Sequence, residues 1–591
     1  MKPKNVSAAA AMDFSAPSLH YQVAMPQPQS HYFEVSLQIK GWGGDWLDLK
    51  FPVWTPGSYL VREYVRHLQE FEACDVATQT PLTYQKISKN HWHIKTQAIE
   101  TINIAYRIYA NDLTVRTNHL DYSHGFFTGA ALFFYLPGFE TCPLTLTVIP
   151  PEPTWQIATT LPVKEETQTT GEKTFYAQDF DTLVDSPVEV GLHHIHPFDV
   201  AGKPHRFVVW GASNLDENQL IKDTQKIIET EADLFGGLPY DQYLFLLHLS
   251  NQGYGGLEHK DSCVLNYSRF GFRDPEKYQR FLQLVAHEFF HLWNIKRIRP
   301  IALEQFDYDQ ENYTPSLWFS EGTTSYYDLL IPLRTGLYDR QTYLKNLGKE
   351  ITRYLTTPGR AVQPLAESSF DAWIKLYRRD AHSDNSQMSY YLKGELVTLM
   401  LDLLIRDRHQ NQRSFDDVMR RMWAEFGQTE MGFTPEQLEG IIAEVADTDL
   451  TEFFQMALHS TAELPLNQYL HLFGLKLHAV KDDLTPYLGI QVKSEAGHEK
   501  ITFVATQSPA ALAGISPDDD LLAIDGIRVN AEQLPQRLKD YQANDMIQLT
   551  VFHQDLLRTV EVQLAVPQAN RYEILPIADP TDAQCRNLAG W

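Results

Sequence analysis

Between His31 and Pro197 apolar and polar residues alternate in short runs, among them YFEVSLQI, INIAYRIYA and LTLTVIP, separated by turn residues such as WTPGSY at Trp54–Tyr59. Alternation with a period of two puts every second side chain on one face, so these runs predict strands, and their spacing predicts an antiparallel sandwich. Near His205 the pattern changes: RFVVW reads as a strand and Asp216 to Leu234 as a helix. YLFLLHL, from Tyr243 to Leu249, is continuously apolar, as a strand buried on both faces would be. From Tyr278 to Ile298 the run YQRFLQLVAHEFFHLWNIKRI has no Pro or Gly and stops before Pro300, which predicts one largely buried helix. Segments from about Gln341 to Leu458 predict amphipathic helices, LKGELVTLMLDLLIRD most clearly. After Pro465 strand periodicity returns and runs to about Pro567.

A chain of 591 residues exceeds one hydrophobic core; at about 150 residues per domain it holds three or four. A composition 43% hydrophobic and 12% aromatic supplies those cores and argues against wholesale disorder. Asp and Glu number 75 against 50 Lys and Arg, a formal charge of -25 that repels phosphate backbones and anionic lipid, so nucleic acid and membrane surfaces are excluded as partners. Cys74, Cys142, Cys263 and Cys585 are far apart and form no CxxC pattern, which fits thiols in a reducing compartment. Lys2 and Lys4 precede an alanine stretch (Ala8 to Ala11) too short for the apolar core of a leader, so the N-terminus reads as a frayed tail. The longest apolar runs, such as Ala130 to Leu136, fall far short of the ~20 residues of a spanning helix. The expected location is cytoplasmic.

Within the apolar run, HEFFH spaces His287 and His291 four residues apart, which on a helix turns both imidazoles to one side within reach of a single ion. Two neutral histidines of this spacing ligate zinc, and the carboxylate beside them, Glu288, accepts a proton from the attacking water. The flanks Leu284, Val285, Phe289, Phe290, Leu292 and Trp293 predict burial, where charge without a partner is costly. A catalytic zinc takes a third protein ligand. The elongated His-rich pattern needs a histidine six residues after His291, where Arg297 stands, so that class is excluded. LWFSEGTTSYYDLL offers Glu321 among Trp318, Phe319, Tyr326, Tyr327 and Leu330. It is preferred to Glu304, Asp307, Asp309 and Glu311, which lie in a polar stretch where solvation explains them. Ser325, one turn later, is a candidate support for the ligands.

HEFFHLWNIKRIRP, WFSEGTTSYY and PVWTPGSYLVREY together resemble the glycyl aminopeptidase family of PDZ-containing metallopeptidases, relatives of the aminopeptidase N group, in the expected order and over nearly the whole chain. The resemblance implies a multidomain α+β protein: an N-terminal β-sandwich (12–200), a thermolysin-like zinc peptidase domain (203–340), a helical domain (341–474) and a C-terminal PDZ domain (475–568). GYGGLEH is similar to the Gly-x-Met-Glu-Asn strand of aminopeptidase N relatives, with His259 where Asn is usual. This implies that Glu258 binds the substrate's free amine while Gly255 and Gly256 let its backbone approach. Tyr391-Leu392-Lys393-Gly394 is similar to the signature whose tyrosine stabilises the oxyanion, with adjacent Tyr390 as the alternative.

Tyr487-Leu488-Gly489-Ile490, SPAALAGI and DDDLLAIDGI resemble in order the PDZ domains of bacterial proteases, with Asp519 where a glycine is usual. Such a domain either takes a peptide C-terminus at its sheet edge or packs against the catalytic part. The expected function is therefore a one-zinc aminopeptidase acting on peptides and releasing N-terminal residues, small ones such as Gly or Ala by the family's name. The alternatives are a zinc endopeptidase, and a non-catalytic PDZ binding protein with structural zinc.

Overall fold

The computed structural model describes residues 16–97, 99–481 and 485–591; the tail expected at Lys2, Lys4 and Ala8 to Ala11 lies outside them. The chain forms two compact units. The first holds the chain up to Gln225 with Leu238–Leu284 and Phe306–Glu311; the second holds Lys226–Gly237, Val285–Gln305 and Asn312–Trp591.

In the first unit a seven-stranded sheet is built around Ser18–Ala24, Tyr32–Lys40 and Thr101–Tyr109. Burial alternates residue by residue along the last two strands, and their register sets Leu37 opposite Ile104, so the apolar set of each falls on one face. That face shares its core with a three-stranded sheet through Leu47, Leu49, Trp92 and Ile94. One pair departs from the expected antiparallel pattern: Ser18–Ala24 runs parallel to Leu144–Ile149, a pairing that the long stretch of chain between them permits.

The same unit contains a five-stranded sheet in the order His194–Val200, Lys203–Trp210, Tyr243–Ser250, Ser262–Ser268, Tyr254–Glu258. The apolar run at Tyr243 is its central strand, buried to Leu249 and parallel to both neighbours. His194–Val200 pairs with Lys203–Trp210, so this sheet takes in the last residues of the 12–200 stretch. Tyr254–Glu258 forms an edge, antiparallel to Ser262–Ser268.

The helix bearing HEFFH runs from Pro275 to Phe290 and does not continue to Ile298 as its composition predicts. It is broken by hydrogen bonds from outside the helix. Asn294 Nδ2 donates to Phe319 O (3.0 Å) and Ser320 O (3.1 Å), and Ile295 takes the left-handed conformation (φ 107°) with its amide on Ile298 O. A β-branched residue there is strained, and the neighbouring bonds hold it. Glu321 falls in a π-helical segment, Trp318–Thr323, that continues as the α-helix Thr324–Arg334.

The helix Tyr390–Arg408 is buried on almost every side, not amphipathic as predicted, because it is packed by Trp318–Thr323, Thr324–Arg334, Arg340–Thr356 and Phe415–Met422. Its closest approach is backbone to backbone. A Cβ on Gly394 would lie 2.5 Å from Trp318 O, and one on Gly322 would lie 2.5 Å from Gly394 Cα.

Near the C-terminus, Ile490–Glu495, His498–Val504, Asp520–Ile524, Met546–His553 and Leu556–Gln563 make one sheet around Leu488, Ile501 and Leu549. Ala569–Pro576 leaves that sheet to pair with Leu475–Lys481. No helix among the described residues is long and apolar enough to cross a membrane.

The glycine contact gives a paired prediction. Gly394→Ala should cost about 1–3 kcal/mol by overpacking and lower the thermal unfolding midpoint. Gly440→Ala, in the helix Pro435–Ala446 with nothing within 4 Å of the new methyl, should leave it unchanged or raise it by stiffening the unfolded chain, worth about 0.4–1 kcal/mol. Equal midpoints for both variants would remove the contact from the fold's constraints.

Candidate metal centre

Although the helix stops at Phe290, the His291 amide still faces His287 O at 3.3 Å, so His291 keeps the helical phase and both imidazoles share a side. Their Nε2 atoms lie 3.0 Å apart. Glu321 Oε2 faces both, 3.1 Å from His291 Nε2 and 3.5 Å from His287 Nε2. The far side of each ring fixes its tautomer: His291 Nδ1 lies 2.8 Å from Asn294 O, which can only accept, and His287 Nδ1 lies 2.8 Å from Asp328 Oδ2. Both Nδ1 atoms are therefore the donors, and both Nε2 lone pairs point at one oxygen of a carboxylate. Three electron-rich atoms this close repel unless a cation lies among them. Two imidazoles and a carboxylate suit a zinc-type ion.

Burial would raise the Glu321 carboxyl, but a proton on the two imidazoles outweighs it and holds the group below its ordinary value, so a proton can stand where a metal cation would. Burial would lower His287; Asp328 and Glu321, with Glu288 behind them, push it up, so a proton and a metal ion compete for the same nitrogen.

Glu288 follows His287 on the helix and is buried. The Tyr391 ring stacks loosely on His287, with centroids 6.3 Å apart, and its hydroxyl lies 3.0 Å from Tyr377 OH. Burial, then the Glu321 carboxylate, hold the Tyr391 phenol well above its ordinary value, so it stays a hydrogen-bond donor. Tyr390 is fully buried and donates to the same Tyr377 OH at 3.3 Å. Of the rejected acids, Glu304 accepts from Gly432 N (2.9 Å).

Four residues escaped the sequence reading. Asp328, and not Ser325, supports His287. It lies seven positions after Glu321, which on a helical run brings the two to one face, and that spacing was the available signal. Asn294 sits in HLWN and ties the turn after His291 to the Glu321 segment. Glu231, fully buried on the helix Glu217–Phe235 near His287 and Asp328, and Glu395, beside Gly394 and near Glu350 and Asp328, are both driven far up by burial. Only tertiary packing reveals these last two.

In the first unit, Glu258 ends the edge strand Tyr254–Glu258 and is 4% exposed, with Oε1 lacking a hydrogen-bond partner among the described residues. The WTPGSY turn closes over it: Gly57 has φ +84°, and a Cβ there would lie 2.5 Å from Glu258 Oε1. Gly255 is in the left-handed region (φ +151°), and Gly256 O accepts from Arg116 Nη2 at 3.2 Å. Asp309 is held by Lys50 (2.5 Å) and Asn90 (2.6 Å).

Family models match the chain in three places: the peptidase M61 N-terminal domain over residues 20–192, M61 glycyl aminopeptidase over 280–397 and a PDZ domain over 486–564. The crystal structure of an aminopeptidase N family protein from Idiomarina loihiensis is 30% identical and superposes with a TM-score of 0.90, covering 96% of this chain and 99% of that one. The chain belongs to the M61 glycyl aminopeptidase family. The M61 peptidase is thus a metallopeptidase with an N-terminal β-rich domain, a helical peptidase domain and a C-terminal PDZ domain. An M1 zinc metallopeptidase from Deinococcus radiodurans (13% identical, TM-score 0.47, 77% of this chain and 95% of that one) and Legionella pneumophila aminopeptidase A (13%, 0.49, 84% and 56%) are too distant to bear on the site. No curated protein sequence matches it.

In this M61 peptidase, Asp328→Asn keeps the shape but weakens the acceptor behind His287, so metal affinity should fall by roughly 10–100-fold. Competition with a chromogenic chelator measures it; wild-type affinity would show that Asp328 does not orient the ligand.

Proposed function

We propose that this M61 peptidase is a zinc aminopeptidase that releases N-terminal residues from peptides, with one ion held by His287, His291 and Glu321. The observation that carries the reading is the convergence of two imidazole lone pairs on Glu321 Oε2, with Glu288 next to His287. A bound zinc ion supplies a Lewis acid for the scissile carbonyl. Glu288 accepts a proton from the attacking water and returns it to the leaving amine. The Tyr391 phenol donates a hydrogen bond to the oxygen on which negative charge develops.

Glu258 accepts hydrogen bonds from the substrate ammonium, a role its buried, unpartnered Oε1 supports. Gly255 and Gly256 leave the strand bare for the substrate backbone. Preference for small residues such as glycine or alanine follows from the family's description. At the PDZ domain, Gly489 (φ +86°) precedes the edge strand Ile490–Glu495, an arrangement that suits a peptide C-terminus added as a further strand. Four free cysteines favour a cytoplasmic location.

Glu288→Gln should keep its metal while turnover falls by about two to four orders of magnitude. Tyr391→Phe should lower kcat by ~10²-fold or more with little change in KM; near-normal kcat would return the role to Tyr390 or to the metal alone.

The amine anchor has its own test. A carboxylate facing an ammonium is commonly worth about 1.5–3 kcal/mol, so Glu258→Ala should depress kcat/KM on free-amine substrates by at least ~10-fold. It should also narrow the gap between free and N-acetylated substrates. If the wild type cuts acetylated peptides internally as fast as free ones, the protein is an endopeptidase.

A further inference from the structure

A second group of histidines surrounds a carboxylate inside the first unit. Glu189, in the strand Val188–Gly191, places Oε1 2.8 Å from His124 Nδ1 and Oε2 2.9 Å from His248 Nε2. His124 comes from the strand His124–Phe127 of the same four-stranded sheet, and His248 from the central strand of the five-stranded sheet. All three side chains are at most 1% exposed. His193 points its Nδ1 at the same carboxylate from 4.0 Å, and it too is fully buried. Among the described residues neither ring nitrogen of His193, nor His248 Nδ1, has a hydrogen-bond partner.

The surroundings are shaped to this group. Gly191 lies opposite His124 in register, where a Cβ would come within 2.7 Å of His124 Cβ, so the strand bearing His124 approaches closely only because glycine stands there. Trp210 stacks flat on the His124 ring at 3.5 Å, and His119 Nδ1 meets His124 Nε2 at 2.8 Å, as an outer partner orienting a ligand would. A buried carboxylate ringed by imidazoles, with His193 and His248 Nδ1 left without partners among the described residues, offers the donor set of a metal site. A lone buried negative charge is costly.

We propose that Glu189, His124, His248 and His193 form a second, structural site for a zinc-type transition metal, separate from the His287, His291 and Glu321 centre. Histidine with one carboxylate selects such ions over calcium or magnesium. Complete burial leaves no position open to substrate, so the ion is structural. It displaces the protons now shared at 2.8 and 2.9 Å and fastens the four-stranded sheet to the five-stranded sheet.

Elemental analysis of the full chain after gel filtration tests it, with zinc as the probe. The wild type should carry two equivalents, Glu321→Ala one, Glu189→Gln one and the double variant none. A wild type with one equivalent and a Glu321→Ala variant with none overturns the proposal, as does a double variant that keeps what Glu321→Ala keeps. Glu321→Ala with two equivalents and Glu189→Gln with one supports it and instead displaces Glu321 from the other centre. Should Glu189→Gln fail to fold, cobalt(II) titration of metal-stripped Glu321→Ala decides: one equivalent with a visible ligand-field band supports the site, and no band overturns it.

Discussion

Two imidazole lone pairs and a carboxylate oxygen aimed at one point repel each other, and much of the second unit exists to hold them there. Burying such charge costs several kcal/mol per ion before any partner arrives, so bonds from neighbouring elements have to hold the three side chains in place. Asn294 fastens the turn after His291 to the carbonyls of Phe319 and Ser320. Asp402 accepts from Tyr326 OH, Arg406 Nε and Phe415 N, and so joins the helix carrying Asp328 to the helix carrying Tyr391. Thr323 and Thr398 meet across the same interface at 2.9 Å. Each bond fixes an element that bears one of the converging atoms.

The chain solves the problem of a buried carboxylate between histidines in two ways. At Glu321 both imidazoles address a single oxygen and turn their protonated nitrogens outward. At Glu189 each oxygen takes its own imidazole, and the protons point inward. The first arrangement calls for a proton or a metal cation between the groups; the second already shares its protons. Identical residue types thus differ in which ring nitrogen faces the carboxylate with its proton.

Local patterning carried far in this sequence because its strands alternate cleanly and its central strand is apolar throughout. The His-Glu-x-x-His spacing picked out His287 and His291 without reference to packing, an acid amid aromatic residues picked out Glu321, and the fold brings the three side chains together. What patterning could not convey was contact between distant segments. The helix end at Phe290 depends on an asparagine reaching residues further along the chain, and no local propensity announces that. The all-round burial of Tyr390–Arg408 comes from the several neighbours that enclose it, a fact absent from its own periodicity. Asp328 shares a helical face with Glu321, but so does the nearer Ser325, and spacing alone does not choose between them. The Glu189 group unites positions 124, 189, 193 and 248, which only sheet topology assembles.

The contact between Gly322 and Gly394 also bears on how the protein can be dissected. A fragment covering only 203–340 would contain both histidines and Glu321 yet lack the helix against which the Glu321 segment lies backbone to backbone. Its exposed face would carry Trp318 and Tyr326, which that helix and its neighbours otherwise cover. Transplanting the metal motif into another scaffold therefore means moving the tyrosine-bearing helix with it, through Arg408, as a single inseparable piece.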